Sequence, residues 1–132
     1  MPSEESARPR RVLLVDDNAD VRYLTRLTIE SPWCEIVGEA HNGAEALEMA
    51  EALRPDIVLM DMHMPIMDGV ETTRILKHRF PEMEVIIVSG SDDPESHRQM
   101  LEAGTSSSVE KGQLEELIIR LDPEPGGELR TS

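Results

Sequence analysis

Aromatic residues, cysteine and long apolar runs are all scarce in this sequence. Its 132 residues include one tyrosine, one tryptophan, one phenylalanine and one cysteine. A lone cysteine has no partner for an intrachain disulfide, so we expect Cys34 to serve as a small buried apolar residue. No apolar run approaches the roughly 18 residues of a spanning helix, and residues 1–10 lack the apolar core of a signal peptide. We therefore expect a cytoplasmic protein.

Basic residues are also few, with 13 Lys and Arg against 27 Asp and Glu and a formal net charge of −14. This charge repels nucleic acid phosphates and anionic membranes, so neither is an expected partner. The length suits one domain. The ends are rich in Pro, Gly, Ser and charged residues. We therefore predict a flexible tail over residues 1–10, a folded domain over 11–121 and a second tail over 122–132.

Short apolar runs alternate with helical patterns along the predicted domain. Three runs are strongly apolar, Val12–Val15, Ile57–Met60 and Val85–Val88, whereas Glu35–Ala40 and Ser107–Glu110 are weaker. Five strand–helix units are most economically a parallel sheet with helices on both faces. Strands buried on both faces belong at the centre of such a sheet. The pattern predicts an α/β, doubly wound, flavodoxin-like (βα)5 fold with strand order 2-1-3-4-5.

Helices are predicted to follow each strand, the first three over about residues 18–30, 42–53 and 68–78. In the first, a stripe at helical spacing is typical of a face that packs on the sheet: Val21, Leu24, Leu27 and Thr28. In the second, the equivalent positions are Ala46, Leu47, Ala50 and Leu53. A fourth helix is predicted from about residue 92 to Gly104, a suitable C-terminal cap. A fifth carries an amphipathic pattern at Leu114, Leu117, Ile118 and Leu121.

Polar residues end three of the predicted central strands and meet at one edge of the sheet. They are Asp16 and Asp17 after the first strand, Asp61 after the third and Ser89 after the fourth. Clustered carboxylates repel one another, and a hard divalent cation relieves that repulsion. Mg²⁺ is the natural candidate because it binds one or two carboxylates and completes its shell with water and phosphate oxygens. Taken alone, the aspartate pair is better explained as a helix cap.

A carboxylate can attack phosphorus and form an aspartyl phosphate, and Asp61 is placed to do so. Lys111 follows the fifth strand, from which its ammonium can reach the phosphoryl oxygens. Ser89 can offer a hydroxyl hydrogen bond to the same group. A carboxylate nucleophile, a hydroxyl, a lysine and acidic metal ligands together predict a phosphoryl-transfer site.

Four segments, in this order, resemble the receiver domain of two-component response regulators: VLLVDDN, PDIVLMDMHMPIMDG, IIVSG and AGTSSSVEKG. The resemblance covers about residues 12–121. It implies that Asp61 accepts a phosphoryl group from the phosphohistidine of a histidine kinase. It also implies a Mg²⁺ site formed by Asp61, Asp16, Asp17 and the backbone carbonyl of His63.

The resemblance further implies that Ser89 and Lys111 contact the phosphoryl group. The expected partners are a histidine kinase and either a downstream effector or a histidine phosphotransfer protein, in a single-domain signalling switch. The domain would catalyse only its own phosphorylation and dephosphorylation. The output surface is predicted to change through the loop at residues 89–91 and the fourth helix.

Two positions depart from the family pattern. Ser108 stands three residues before Lys111, where Tyr or Phe is usual, and Gly112 replaces a common proline. The aromatic rotamer change that commonly reports phosphorylation is therefore absent from its usual place. One alternative is a phosphorylation-independent adaptor with the same fold. A second is an aspartyl-phosphate phosphohydrolase, although His63 stands where that family usually has a second aspartate.

Overall fold

The computed structural model describes residues 9–61, 69–89, 98–99, 102–104 and 107–110, with the backbone alone at residues 89 and 107–110. Strands and helices alternate in this order: β1 Arg10–Val15, α1 Ala19–Ile29, β2 Cys34–Ala40, α2 Gly43–Leu53, β3 Ile57–Asp61, α3 Gly69–Arg79, β4 Glu84–Ser89 and β5 Ser107–Glu110. Every predicted strand is present, and the helices predicted over residues 18–30, 42–53 and 68–78 begin and end within one residue of those limits.

The strands form one parallel sheet in the order β2-β1-β3-β4-β5. The predicted order is therefore confirmed, with the three strongly apolar strands at the centre and the two weaker strands at the edges. All five residues of β3 are buried. Because successive side chains of a strand point to opposite faces, such a strand needs cover on both sides.

Two apolar clusters lie on the two faces of the sheet. One contains Leu13, Val58 and Ile87 from the central strands, together with Ala46 and Ala50 of α2 and Leu76 of α3. The other contains Val12, Leu59 and Ile86, together with Ile29 of α1. The alternation along each strand thus separates α1 from α2 and α3, as the doubly wound prediction requires.

The first two helices begin at asparagine caps, each of which follows a strand end. The Asn18 side chain accepts hydrogen bonds from the N–H groups of Asp20 and Val21, at 2.8 and 3.1 Å. The Asn42 side chain accepts from the Glu45 N–H at 2.8 Å. These bonds satisfy amide donors that the first helical turn leaves without partners. They fix the point at which each chain segment leaves the sheet edge.

The predicted buried stripe of α1 is wrong at Leu24 and Leu27, whereas Val21 and Thr28 are half-buried. Tyr23, Leu24 and Leu27 are about 60% exposed, at 61%, 57% and 60%. The buried residues of the helix are instead Arg22, Thr25 and Ile29. In α2 the prediction holds, since Ala46 and Ala50 are fully buried.

Cys34 is 1% exposed, which confirms its predicted burial. Burial raises the pKa of its thiol to about 11, so the thiolate is scarce at neutral pH.

Several predictions lie outside the described residues: both tails, the loop at residues 62–68, most of the fourth helix and the whole fifth helix. Residues 98–99 and 102–103 are helical, and Gly104 has the positive φ, 98°, that suits the predicted cap. None of the helices in the described ranges combines the length and apolarity that crossing a bilayer requires.

Candidate functional site

The predicted carboxylates meet at the carboxyl edge of the sheet. Val15 of β1 is in register with Met60 of β3, so the residues that follow, Asp16 and Asp61, leave the sheet side by side. One carboxylate oxygen from each of Asp16, Asp17 and Asp61 lies within 4.8 Å of the others. Asp16 and Asp61 are buried, at 7% and 4% exposure, whereas Asp17 is exposed.

The backbone holds Asp16 from two directions. Its N–H donates to the carbonyl of Ala40 at 3.1 Å, which extends the β1–β2 pairing by one residue. Its side-chain Oδ1 accepts from the N–H of Asn18 at 2.9 Å. Since Asn18 also caps α1, the helix start and the carboxylate cluster share one short turn.

An arginine–glutamate network contacts this turn, and the sequence patterns did not predict it. The buried Arg22 side chain donates from Nη1 to the Asp16 carbonyl at 2.6 Å and from Nε to Glu39 Oε1 at 2.9 Å. Arg26 donates to the other carboxylate oxygen of Glu39. The hydrogen bond from Arg26, followed by the bond from Arg22, holds the pKa of Glu39 below its usual range. The hydrogen bond to Glu39 in turn raises the pKa of Arg26.

Three predicted site groups fall outside the described atoms: the Ser89 hydroxyl, the His63 carbonyl and Lys111. The backbone of β4 and β5 is described, and it pairs Ser89 with Glu110. Asp61 is in turn paired with Val88. Glu110, which directly precedes Lys111 in the sequence, is the last residue of β5 and lies beside β4, the strand that neighbours β3 and Asp61.

A groove of about 710 Å³ lies at the opposite, amino edge of the sheet. The Arg54 guanidinium lies 4.8 Å from the centre of the Phe80 ring in its wall, and Arg10 pairs with Glu84 at 3.4 Å. A much smaller cavity, of about 20 Å³, is lined by Asp16, Asp61 and Arg22. The carboxylates converge at the smaller cavity, whereas Arg10 and Glu84 of the amino-edge groove pair with each other.

The donor set at the carboxyl edge suits a hard cation. It offers carboxylate oxygens, and Mg²⁺ prefers oxygen ligands over nitrogen or sulfur. Two of the three carboxylates are buried close together, an arrangement that carries a like-charge cost that a bound divalent cation removes. Asp61 ends a fully buried strand, so its position relative to Asp16 is fixed by backbone pairing.

A five-stranded parallel sheet with this order and a carboxylate cluster at its carboxyl edge defines the receiver class of signalling domains. The chain belongs to the response regulator receiver domain family, whose model matches residues 12–122. This match confirms the family that the four sequence segments indicated.

Relatives of known sequence carry the same domain within longer chains. The protein is 39% identical over 104 residues to protein-glutamate methylesterase/protein-glutamine glutaminase 3 of Hahella chejuensis, across 77% of this chain and 30% of that one. It is 38% identical over 103 residues to the response regulator GacA of Pseudomonas viridiflava, across 77% of this chain and 48% of that one. The chain thus spans half or less of the length of these relatives.

Solved structures of isolated receiver domains match almost end to end. The response regulator domain of Thermotoga maritima CheB has a TM-score of 0.78 and 28% identity, covering 95% of this chain and 99% of that one. A CheY-like receiver domain protein from Methanospirillum hungatei has a TM-score of 0.75 and 26% identity, covering 90% and 99%.

Proposed function

We propose that the protein is a phosphoacceptor switch in which Asp61 receives a phosphoryl group from the phosphohistidine of a histidine kinase. A carboxylate oxygen of Asp61 attacks phosphorus, the P–N bond breaks, and the imidazole leaves with the electron pair. The product is an acyl phosphate on Asp61 and a free histidine on the donor. The observation that carries the proposal is the convergence of three aspartate oxygens within 4.8 Å at the end of β3.

Mg²⁺ is the proposed cofactor, held by Asp16, Asp17, Asp61 and the carbonyl of His63. When bound, it would neutralise carboxylate charge and draw phosphoryl oxygens toward the nucleophile. Ser89 is proposed to donate its hydroxyl to a phosphoryl oxygen, and Lys111 to place its ammonium against another. Asp16 and Asp61 would hold the ion in a fixed position, because one follows β1, the other ends β3, and these two strands are paired.

Chemical phosphorylation tests this proposal without knowledge of the kinase. The full chain is incubated with acetyl phosphate and Mg²⁺ and run on a phosphate-affinity gel. We expect a shifted band for the parent chain that is lost in Asp61→Asn and in the presence of EDTA. Asp56→Asn is the matched control, because Asp56 lies at the amino edge, where its carboxylate accepts the Arg11 N–H at 2.9 Å. An unshifted parent band under all conditions would favour the phosphorylation-independent adaptor.

A phosphate-release assay separates the switch from a phosphohydrolase. A switch turns over only the phosphoryl group on its own aspartate, so phosphate release from a generic phosphomonoester should not exceed one equivalent per chain. Release of many equivalents, lost in Asp61→Asn, would establish the phosphohydrolase instead.

The exposed apolar side of α1 is the proposed contact surface for the phosphoryl donor. Tyr23, Leu24 and Leu27 are the large apolar side chains found exposed among the described residues, and they share one helix. That helix begins directly after the carboxylate cluster, at the Asn18 cap. A protein that covers this patch would therefore reach the edge of the sheet at Asp61. Exposed contiguous apolar side chains commonly mark interaction surfaces.

Kinase-dependent and chemical phosphorylation distinguish this surface from the site itself. In Leu24→Glu we expect labelling by acetyl phosphate to be unchanged and transfer from a phosphorylated histidine kinase to be slower by tenfold or more. Ala52→Glu, an exposed position on α2 across the sheet, is the matched control. Equal transfer rates for the parent chain and Leu24→Glu would show that the phosphoryl donor does not bind this side of α1.

For the chain as a whole, we propose a cytoplasmic location and a receiver unit over residues 11–121 flanked by tails at 1–10 and 122–132. Signalling would proceed by binding an effector or by passing the phosphoryl group to a histidine phosphotransfer protein. Limited proteolysis tests the boundaries: cleavage should be confined to the two tails and should leave a fragment that acetyl phosphate still labels.

A further inference from the structure

Arg22 is a buried charge whose role is not explained by packing alone. It is 8% exposed, although arginine is rarely buried without partners. Its guanidinium makes two described contacts, to the Asp16 carbonyl at 2.6 Å and to Glu39 Oε1 at 2.9 Å. Those acceptors belong to different segments, the end of β1 and the β2 strand. Arg22 therefore links an edge strand to the turn that carries two of the clustered carboxylates.

The Arg22 contact completes the restraint of Asp16. The N–H of Asp16 is held by Ala40, and its Oδ1 is held by the Asn18 N–H. The carbonyl is the remaining main-chain polar group of that residue, and Arg22 occupies it. With both main-chain groups bonded, the peptide planes on either side of Asp16 have little freedom to rotate. The carboxylate that joins the cluster is held accordingly.

Glu39 fixes the orientation of the Arg22 guanidinium. Its two oxygens are divided between Arg22 and Arg26, so it does not rotate freely between them. The lowered pKa of Glu39 keeps it ionised as the pH falls toward its ordinary value. The planar guanidinium can donate in two directions at once, which the single ammonium of a lysine cannot do at the same distances.

We propose that Arg22 is a positioning residue for the carboxylate cluster, oriented by Glu39, and that the two-directional geometry of its guanidinium sets the affinity of the cluster for divalent cations. This inference rests on the proposed metal-dependent function. It concerns geometry rather than charge, because a nearby positive charge by itself disfavours a bound cation. Groups that orient metal ligands from behind typically change affinity by 10- to 100-fold when they are altered.

Titration of the full chain with Mn²⁺ tests the proposal without any measurement of phosphorylation. The electron paramagnetic resonance signal of the free ion reports how much Mn²⁺ is bound. Arg22→Lys keeps the charge but replaces the two donor nitrogens, which bond Asp16 and Glu39 separately, by one. We expect its Kd for Mn²⁺ to rise roughly tenfold. Arg26→Lys is the matched control, because Arg26 is on the same helix and has no described contact to Asp16, and a lysine there still offers Glu39 Oε2 a charged donor. Its Kd should stay within twofold of the parent value.

Three outcomes would overturn the inference. Equal Kd values for the parent chain and Arg22→Lys would show that the cluster does not depend on Arg22. Equal increases in Arg22→Lys and Arg26→Lys would show a general effect of loosening α1. Absence of Mn²⁺ binding by the parent chain would overturn the metal site of the proposed function, and this inference with it, which distinguishes the two failures.

Folding of each variant is checked by circular dichroism in EDTA. Should Arg22→Lys fail to fold, Glu39→Gln provides the same test, because it leaves the guanidinium in place without its charged partner. We expect Glu39→Gln to bind Mn²⁺ more weakly than the parent chain, and we expect this difference to remain in 1 M KCl. At that salt concentration the Debye length is about 3 Å, so long-range charge is screened. A loss of affinity that disappears in 1 M KCl would be electrostatic and would contradict a positioning role.

Discussion

Neutralising Asp61 should stabilise the metal-free protein, although the residue is the proposed phosphoacceptor. Asp61 and Asp16 are both buried, and their clustered oxygens lie within 4.8 Å. Two unit charges at 4.8 Å repel by about 3.5 kcal/mol at an effective dielectric constant of 20. Asp16 Oδ1 also accepts a hydrogen bond from the Asn18 N–H, which offsets part of this repulsion. We therefore expect Asp61→Asn to increase the free energy of unfolding by about 1–3 kcal/mol in EDTA.

Thermal unfolding with and without Mg²⁺ measures this effect. A gain of that size should raise the Tm in EDTA by roughly 4–12 °C for a domain of about 110 residues. Adding 10 mM Mg²⁺ should raise the Tm of the parent chain, since the ion binds the folded state, and should raise that of Asp61→Asn much less. Asp56→Asn should instead lower the Tm, because its carboxylate accepts a hydrogen bond rather than facing like charges. A fall in the Tm of Asp61→Asn in EDTA would refute the reasoning.

Three further predictions concern stability. A Cβ at Gly38 would lie 2.9 Å from Leu53 Cδ1, so Gly38→Val should lower the free energy of unfolding by about 1–3 kcal/mol in urea titrations, and Gly38→Ala by less. Among the residues that the structure describes, the buried Thr73 hydroxyl has no hydrogen-bond partner, so Thr73→Val should raise the Tm by an amount corresponding to about 1 kcal/mol. Thr72→Val, at a buried residue that has a polar interaction, should not raise it. The pKa of Glu39 is lower in the folded state than its unfolded value of 4.5. The ionised Glu39 therefore stabilises the fold fully above pH 4.5, and this stabilisation is lost as the pH falls through the pKa of the folded state. Glu39→Gln should accordingly unfold less steeply than the parent chain below pH 4.5 in fluorescence-monitored acid titrations, and an identical acid profile would contradict the pairing.

The strands and their order were predictable because local patterns and the sheet agree. Apolar tetrads such as Val12–Val15 and Val85–Val88 fit only positions that are covered on both faces, and these are the central strands. The same logic placed Asp16 and Asp61 at one edge of the sheet, where the structure has them. Cap residues such as Asn18 marked helix starts correctly because their bonds are local in the chain.

The buried face of α1 was not predictable from periodicity. Leu24 and Leu27 have the apolar pattern of a packed face, yet Arg22 and Thr25 occupy that face. Burial of the Arg22 charge on α1 is favourable only because Glu39 of β2 compensates it. A spacing rule that considers one helix at a time contains no information about such a partner. The signal in the sequence was weak: arginines at positions 22 and 26, one helical turn apart, on a chain with few basic residues.

The central position of β1 affects how the protein is made. It is the first strand of the chain, yet its neighbours in the sheet are β2 and β3, and β3 begins only at Ile57. During synthesis β1 therefore leaves the ribosome with both of its edges open, and the edge that pairs with β3 stays open until β3 has followed. Its exposed edges and apolar side chains are then at risk of pairing with other chains. The unpaired edge belongs to the strand that directly precedes Asp16, so slow translation before residue 61 should promote aggregation more than slow translation after it.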